Sequence, residues 1–309
     1  MNDCCSPPSE GRTYDLAVIG AGSAGFTAAI TAAELGAQVA LIGHGTIGGT
    51  CVNIGCVPSK TLIRATESIH QAGAAKRFAG ITGAARVDDW RAAVQQKDEL
   101  VASLRQAKYV DLLASYDRIR YLEGRVRLVD GGVAVDGNLI KSGKLIIATG
   151  AAPALPSIPG IEKVRYLTST TALELERLPK SLLVIGGGYI GAELGQMFAR
   201  ARVEVTIVCR SRLLPEAEPE IGEALTRYLR EEGVTIHDGL SYRDIRQVPE
   251  GVALSFLVDG AAQQISAEQV LVATGRRPNT AGIGLREAGI ELMSNGAVKI
   301  GRASCRERV

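Results

Sequence analysis

Aromatic residues make up only 4% of the 309-residue chain, and the formal net charge is only +2. Proteins that bind nucleic acids usually combine a basic patch with aromatic side chains that stack on bases. The composition therefore argues against a nucleic-acid partner. No apolar run approaches the roughly 20 residues of a membrane span, and residues 1–11 are too polar for a signal peptide. We expect a cytoplasmic protein with no membrane partner.

Cysteine is also scarce, with six residues in the whole chain. This number is too small for a disulfide scaffold in a chain of this length, so any disulfide is expected to be catalytic. Cys4 and Cys5 lie in a proline-containing tail, residues 1–12, that we predict to be disordered. They could bind a soft metal or have no role. We favour no role, because two adjacent thiols without further ligands make a poorly defined metal site.

Two other cysteines, Cys51 and Cys56, are separated by four residues in the segment GGTCVNIGCVPSK at residues 48–60. Pro58 and the apolar spacing that follows it predict a helix after Cys56. The positive end of that helix would favour a reactive thiolate. The pair is therefore a candidate redox centre. Spacing alone leaves open that both are small buried residues, as intracellular cysteines often are.

The length predicts about two domains, and 46% hydrophobic residues with 36 glycines are typical of an α/β protein. Residues 14–19 predict a strand, and the glycine turn GAGSAG follows at 20–25. An alanine-rich helix to Leu35 and a strand at 39–42 complete the unit. This order is typical of a dinucleotide site, in which the glycines allow the pyrophosphate to approach a helix N-terminus. The predicted contacts are Gly20, Gly22 and Gly25.

One residue expected in such a unit is missing. An acidic side chain at the end of the second strand usually binds the ribose hydroxyls, but this chain has Gly43-His44-Gly45 there. The ribose could be bound by His44, by the backbone or by water, and the sequence does not decide among them.

The same pattern occurs a second time. A strand at 182–185 leads into GGGYIGAE at 186–193, a helix to about Arg200 and a strand at 203–208. The repeat predicts a second dinucleotide site with contacts at Gly186, Gly188 and Gly191. Its second strand ends at Arg210 and Arg212 without a carboxylate, which favours the 2′-phosphate of NADPH over NADH. The alternative is that these arginines are ordinary surface cations.

Between the repeats, residues 88–116 predict a long amphipathic helix capped by Asp88 or Asp89. Residues 119–150 alternate short apolar runs with glycine turns and predict a β-meander. The proline-rich segment 151–160 predicts a domain boundary. Residues 270–275 would then return the chain towards the first domain.

These motifs together resemble the flavin-dependent pyridine nucleotide–disulfide oxidoreductases. The resemblance covers residues 14–295 and includes both glycine turns, the cysteine segment, the Ala148-Thr149-Gly150 run and ATGRRPN at 273–279. It implies two Rossmann-like three-layer domains, with the NAD(P) domain inserted in the FAD domain. The implied boundaries are a FAD-binding domain at 13–150 and an NADPH-binding domain at 151–275. Residues 276–299 would then form an incomplete segment that returns towards the FAD domain.

The resemblance also implies roles for individual residues. NADPH would reduce FAD, with Tyr189 as a gate over the flavin. Cys51 and Cys56 would form the redox-active disulfide, Cys56 against the flavin and Cys51 facing the substrate. Lys60 would lie near the flavin and pair with Glu193, although each could instead be an ordinary surface charge. The implied FAD contacts are Gly20, Gly22, Gly25, Gly49, Thr50, Lys60, Thr149 and Gly150. The implied NADPH contacts are Gly186, Gly188, Gly191, Arg210, Arg212 and Gly275.

Within the family, residues 41–50 and 104–109 are most similar to members that reduce Hg(II) to Hg(0). The two thiolates of Cys51 and Cys56 are soft ligands suited to this substrate ion. The first alternative is a reductase of dihydrolipoamide's disulfide or of glutathione disulfide. The second is a nucleotide- or metal-binding protein without turnover.

The end of the sequence departs from the family pattern. Family members continue with a dimerisation domain that completes the active site, so the resemblance implies a homodimer for the longer form and a missing C-terminal domain here. Residues 300–309 can be read as the translation of a sequencing adapter. We therefore expect this tail to be non-native and the natural gene to continue.

Overall fold

The computed structural model describes residues 13–300, so the predictions for the tail at 1–12, for Cys4 and Cys5, and for residues 301–309 lie outside the described residues. The described chain forms two compact units. The first consists of residues 13–53, 101–152 and 277–300, and the second of residues 54–100 and 153–276. No helix between residues 13 and 300 is long and apolar enough to cross a membrane.

The architecture is α/β, with helices and strands in each unit. The strands are β1 (Thr13–Ile19), β2 (Val39–Gly43), β3 (Ile119–Glu123), β4 (Val126–Val129), β5 (Gly132–Val135), β6 (Asn138–Ile147), β7 (Ala151–Pro153), β8 (Ser181–Ile185), β9 (Glu204–Val208), β10 (Thr235–His237), β11 (Ser241–Val248), β12 (Gly251–Val258), β13 (Ala261–Ala267), β14 (Gln269–Val272) and β15 (Arg276–Pro278). The helices are α1 (Ser23–Glu34), α2 (Gly49–Ile54), α3 (Cys56–Ala74), α4 (Trp90–Arg105), α5 (Asp111–Leu113), α6 (Tyr189–Arg200) and α7 (Pro219–Glu231).

The first unit is built on a six-stranded sheet in the order β3-β2-β1-β6-β5-β4. Strands β3, β2, β1 and β6 are parallel, whereas β5 and β4 are antiparallel additions. The central strand β1 is apolar at consecutive positions because both of its faces are covered. Val18 contributes to the core shared with α1, and Ile19 contributes to the core on the other face. This parallel arrangement places the glycine turn at the carboxyl end of β1.

The second unit contains a parallel four-stranded sheet in the order β10-β9-β8-β14 and an antiparallel sheet in the order β11-β12-β13. Leu182 and Val184 of β8 are buried in a core with Phe198 of α6. Leu183 and Ile185 alternate with them and join a second core with Phe256 of β12. The fully apolar sequence of β8 is therefore explained by cover on both faces.

Two local predictions from the sequence need correction. Residues 119–150 do not form one meander, because β3 pairs in parallel with β2 and only β4, β5 and β6 are antiparallel neighbours. The long helix predicted at 88–116 runs from Trp90 to Arg105, passes through a π-helical segment at Gln106–Val110 and ends at Leu113. Its predicted cap is confirmed, since Asp89 Oδ1 accepts a hydrogen bond from the backbone N–H of Ala92 at 3.2 Å.

Candidate functional site

The two glycine turns have nearly the same backbone conformation. Gly20 has φ +117° and Gly186 has φ +120°, in a region that favours glycine. Gly22 precedes α1 with φ −87° and ψ −177°, and Gly188 precedes α6 with φ −78° and ψ −179°. The repeat seen in the sequence is therefore a repeat of backbone geometry, with one glycine turn in each unit.

The last glycine of each turn allows its helix to approach its strand closely. A Cβ on Gly25 would overlap the carbonyl oxygen of Gly20, and a Cβ on Gly191 would overlap that of Gly186. These overlaps are with backbone, so they could be relieved only by moving the helix. Gly25 and Gly191 are consequently needed for the close packing of each helix against its turn, and they need not contact a ligand themselves.

A cavity of about 780 Å³ lies above the glycine turn of the first unit. Its volume lies within the range typical of sites for small molecules and cofactors. Its walls include the backbone at the start of α1, and the N–H groups of a helix N-terminus suit a phosphate. Six of the predicted FAD contacts line it, together with Cys51. They are Gly20, Gly22, Gly49, Thr50, Thr149 and Gly150.

Two walls of this cavity are held by close backbone contacts and hydrogen bonds. A Cβ on Gly49 would lie 2.5 Å from the Cα of Gly22, so glycine is needed at position 49 where the two loops meet. Asn279 fixes the opposite wall. Its side-chain amide donates to the carbonyl of Thr149 and its backbone N–H to that of Gly150, both at 3.0 Å.

The second unit has its own cavity, of about 970 Å³, above its glycine turn. Tyr189, the first residue of α6, borders this cavity and is 61% exposed. The predicted NADPH contacts that line it are Gly186, Gly188, Arg210, Arg212 and Gly275. A nucleotide-sized cavity therefore accompanies each of the two turns.

The two predicted arginines differ in their surroundings. Arg212 donates hydrogen bonds to the carbonyl oxygens of Leu214 at 3.1 Å, Pro215 at 3.2 Å and Ala217 at 2.6 Å. Its guanidinium therefore holds the loop before α7 in place. Arg210 is exposed at the cavity wall, and it is the better placed of the two to meet a phosphate.

Cys209 occupies the position at the end of β9 where an NAD site would carry an acid. Its thiol donates to the carbonyl of Ser211 at 3.3 Å, and burial, followed by the charge of Asp238, raises the pKa of this thiol to about 11. The thiol is thus held in its protonated form at neutral pH. Reactive cysteines are those that form the thiolate, so Cys209 is unsuited to redox chemistry.

The predicted redox cysteines lie on consecutive helices. Cys51 belongs to α2 and borders the first cavity, whereas Cys56 is the first residue of α3. The prediction of a helix after Cys56 is confirmed. Both side chains are exposed, so the alternative that they are buried core residues is wrong.

Helix α3 is attached to α6 within the second unit. Lys60 Nζ lies 2.5 Å from Glu193 Oε2, with the two side chains 54% and 46% exposed. The two charges are therefore paired with each other as expected, and the position of Lys60 near the flavin stays a prediction. Beneath this ion pair, Leu62 is fully buried in the same core as Leu194 and Phe198. This packing fixes the helix that begins at Cys56.

Sequence reasoning missed the side chains that hold the loops of the first cavity. Asn53 donates to the carbonyl oxygens of Ile47 and Gly49, each at 2.9 Å, and accepts from Arg105 at 3.1 Å. Tyr109, in the π-helical segment, has its hydroxyl 3.2 Å from that of Ser23. No local spacing indicates these contacts, although π-helical segments often occur at functional sites.

Among residues 13–300, no group of three or more His, Cys, Asp or Glu side chains could hold a metal ion. A resident structural metal therefore has no evident site in the described part of the chain. A two-coordinate soft ion on two thiolates is a different case, because it needs only a cysteine pair.

Residues 14–306 match the sequence profile of the family described as pyridine nucleotide-disulphide oxidoreductase. The chain is 46% identical over 289 residues to a mercuric reductase of Lysinibacillus sphaericus, covering 93% of this chain and 53% of that protein. A mercuric reductase of Staphylococcus aureus is 47% identical over 289 residues, with 92% and 52% covered. The chain thus spans about half the length of these relatives.

Other family branches are also similar. A dihydrolipoyl dehydrogenase of Bacillus subtilis is 38% identical over 305 residues, covering 96% of this chain and 63% of that protein. Among solved structures, the HOCl-induced flavoprotein disulfide reductase RclA of Escherichia coli aligns with a TM-score of 0.79 at 34% identity. That alignment covers 94% of this chain and 62% of RclA.

Proposed function

This chain belongs to the pyridine nucleotide-disulphide oxidoreductase family, and from that premise we propose that it carries the FAD site, the NADPH site and the dithiol of a mercury(II) reductase. Family membership implies FAD and NAD(P)H as cofactors. The observation that carries the proposal is that Cys51 and Cys56 are both exposed, and that Cys51 borders the cavity of the first unit.

In this proposal each unit binds one cofactor. The first unit would hold FAD with the backbone at the start of α1, the loop at Gly49 and Thr50, and the carboxyl end of β6 near Thr149 and Gly150. The second would hold NADPH with the start of α6, Arg210 and Gly275. Gly25 and Gly191 would contribute indirectly, by letting each helix pack closely against its strand.

The remaining residues would direct the redox chemistry. When bound, FAD supplies a carrier that accepts hydride from NADPH and passes two electrons to a disulfide. Cys56 would be the thiol next to the flavin, and Cys51 the outward thiol that receives the substrate. Lys60, paired with Glu193, would place a positive charge near the flavin. Tyr189 would act as a gate, covering the flavin until NADPH binds.

The overall reaction is NADPH + Hg²⁺ → NADP⁺ + H⁺ + Hg⁰. Two electrons leave the nicotinamide and both reach the metal, so the Cys51–Cys56 pair returns to its starting state. Two thiolates at Cys51 and Cys56 would bind Hg(II), because soft sulfur ligands prefer soft ions. The higher identity to the two mercuric reductases than to the dihydrolipoyl dehydrogenase supports this substrate.

A reductase of small disulfides is the second candidate. It is supported by the similarity to a dihydrolipoyl dehydrogenase and to the disulfide reductase RclA. In that case a substrate disulfide would be attacked by the thiolate of Cys51, and the mixed disulfide would be resolved by Cys56. The same two cysteines and the same cofactors would serve both reactions.

The two candidates can be separated by the electron acceptor. NADPH oxidation would be followed on the FAD-loaded chain with Hg(II) in excess thiol. Separate assays would use lipoamide, which is the disulfide form of dihydrolipoamide, or glutathione disulfide. The same assays would be run on a version extended with a family C-terminal domain. Mercury-dependent oxidation in either form supports the proposal. Activity only with a disulfide would instead support the second candidate function, a reductase of small disulfides.

Arg210 and Arg212 should respond differently to replacement by alanine. Arg210→Ala should raise the Kd for NADPH about tenfold, the effect of losing one charge-assisted hydrogen bond, with little change for NADH. Arg212→Ala should instead lower the thermal stability of the second unit, because three carbonyl oxygens lose their donor. Isothermal titration with both nucleotides and a melting curve measure these effects. Equal losses for NADH and NADPH in Arg210→Ala would contradict the role of Arg210.

A further inference from the structure

The place of the missing acid at the end of β2 is filled by another side chain. Gly43 is buried at the carboxyl end of β2, and Tyr121 lies on the neighbouring parallel strand β3. A Cβ built on Gly43 would lie 2.5 Å from the hydroxyl oxygen of Tyr121 and 2.9 Å from its ring carbon Cε2. An acidic side chain at position 43 and the present position of Tyr121 are therefore mutually exclusive.

Tyr121 also borders the first cavity, in the same wall as Gly43 and His44. Its ring is half-buried and packs against the core beneath α1. A tyrosine hydroxyl both donates and accepts hydrogen bonds, as does a ribose hydroxyl. Because its ring is held by packing, Tyr121 presents this group with less freedom than His44, which is exposed on a loop.

We infer that the hydroxyl of Tyr121 binds the 2′-hydroxyl of the adenosine ribose of FAD, in place of the acid that such sites usually carry at the end of β2. This inference rests on the proposed FAD site of the first unit. It assigns the recognition to a neutral side chain on the neighbouring strand and gives a reason for glycine at 43. It also excludes His44 as the main ribose contact.

The test is a titration of the flavin-free chain with FAD, followed by flavin fluorescence. Tyr121→Phe keeps the ring and removes the hydroxyl, and it should raise the Kd for FAD about tenfold, as expected for one lost hydrogen bond. FMN lacks the adenosine half, so its Kd should not change. His44→Ala is the matched control and should bind FAD as the wild type does.

An FAD analogue without the adenosine 2′-hydroxyl identifies the bonded partner. The wild type should bind it about tenfold more weakly than FAD, whereas Tyr121→Phe should bind the two equally well, because the shared hydrogen bond is already gone. An unchanged FAD affinity in Tyr121→Phe would overturn the inference. Equal penalties for the analogue in both proteins would do so as well.

A paired substitution keeps the test decisive if Tyr121→Phe folds poorly. Gly43→Glu combined with Tyr121→Val opens the space taken by the ring and restores an acid, so FAD affinity should recover to within a few-fold of the wild type. Gly43→Glu alone should bind FAD poorly, because the ring of Tyr121 blocks its side chain. No recovery in the pair would count against the inference. A wild-type chain that bound no FAD would overturn the proposed function itself.

Discussion

The Cys56→Ser variant should lose mercury-dependent NADPH oxidation by about 1,000-fold or more, in line with the removal of a covalent catalytic group. A serine hydroxyl cannot form the disulfide that receives electrons or the thiolate that binds Hg(II). FAD and NADPH should still bind, because the two glycine turns do not involve this side chain. Stopped-flow measurement of NADPH oxidation, on the form of the chain that turns over, gives the rates.

A matched control comes from the other cysteines of the chain. Cys4→Ser combined with Cys5→Ser should oxidise NADPH at the wild-type rate, since we predict no role for these residues. Cys51→Ser should fail as completely as Cys56→Ser, because a dithiol needs both sulfur atoms. A Cys56→Ser protein that retained the wild-type rate would show that the electrons take another route.

The Gly188→Ala variant should weaken NADPH binding about tenfold or more without loss of stability, because a buried overlap costs about 1–3 kcal/mol and about 1.4 kcal/mol corresponds to tenfold in Kd. A Cβ at this position meets no protein atom within 4 Å, and φ −78° is acceptable for alanine. In a turn of this type the second glycine lets the pyrophosphate approach the backbone. The added methyl group would therefore collide only with the nucleotide. Calorimetric titration and a melting curve separate the two effects.

Gly191→Ala provides the contrast. Its Cβ would overlap the backbone oxygen of Gly186, so this variant should lose thermal stability together with NADPH binding. Gly73→Ala, in α3, meets nothing within 4 Å and should be neutral or slightly stabilising, as expected for alanine in a helix. Unchanged NADPH affinity in Gly188→Ala would place the nucleotide away from this turn.

Local patterns were sufficient for the elements that carry the glycine turns. The strand, turn and helix at β1 and α1, and again at β8 and α6, depend on short-range rules of glycine conformation and apolar spacing. The helix after Cys56 and the cap at Asp89 follow from the same kind of rule. These features are fixed by residues within a few positions of one another.

Two of the misses, the pairing of β3 and the position of Tyr121, depend on contacts between residues distant in the sequence. The sequence predicts a meander at Ile119–Glu123 because the partner strand β2 lies eighty residues earlier and leaves no local signal. The difference between Arg210 and Arg212 depends on nearby residues, because Arg212 bonds three carbonyl oxygens of the loop that follows it, and no simple spacing rule predicts the conformation of that loop. Tyr121 could not be linked to Gly43 until the register of β2 and β3 was known.

The most direct measurement is a count of thiols before and after reduction by NADPH. The FAD-loaded chain would be oxidised, treated anaerobically with NADPH and alkylated, and the labelled cysteines would be located by peptide mass spectrometry. If Cys51 and Cys56 form the redox-active disulfide, two new thiols per chain should appear, at these two positions, with Cys209 unchanged. No new thiols at this pair, or new thiols at other positions, would contradict that role.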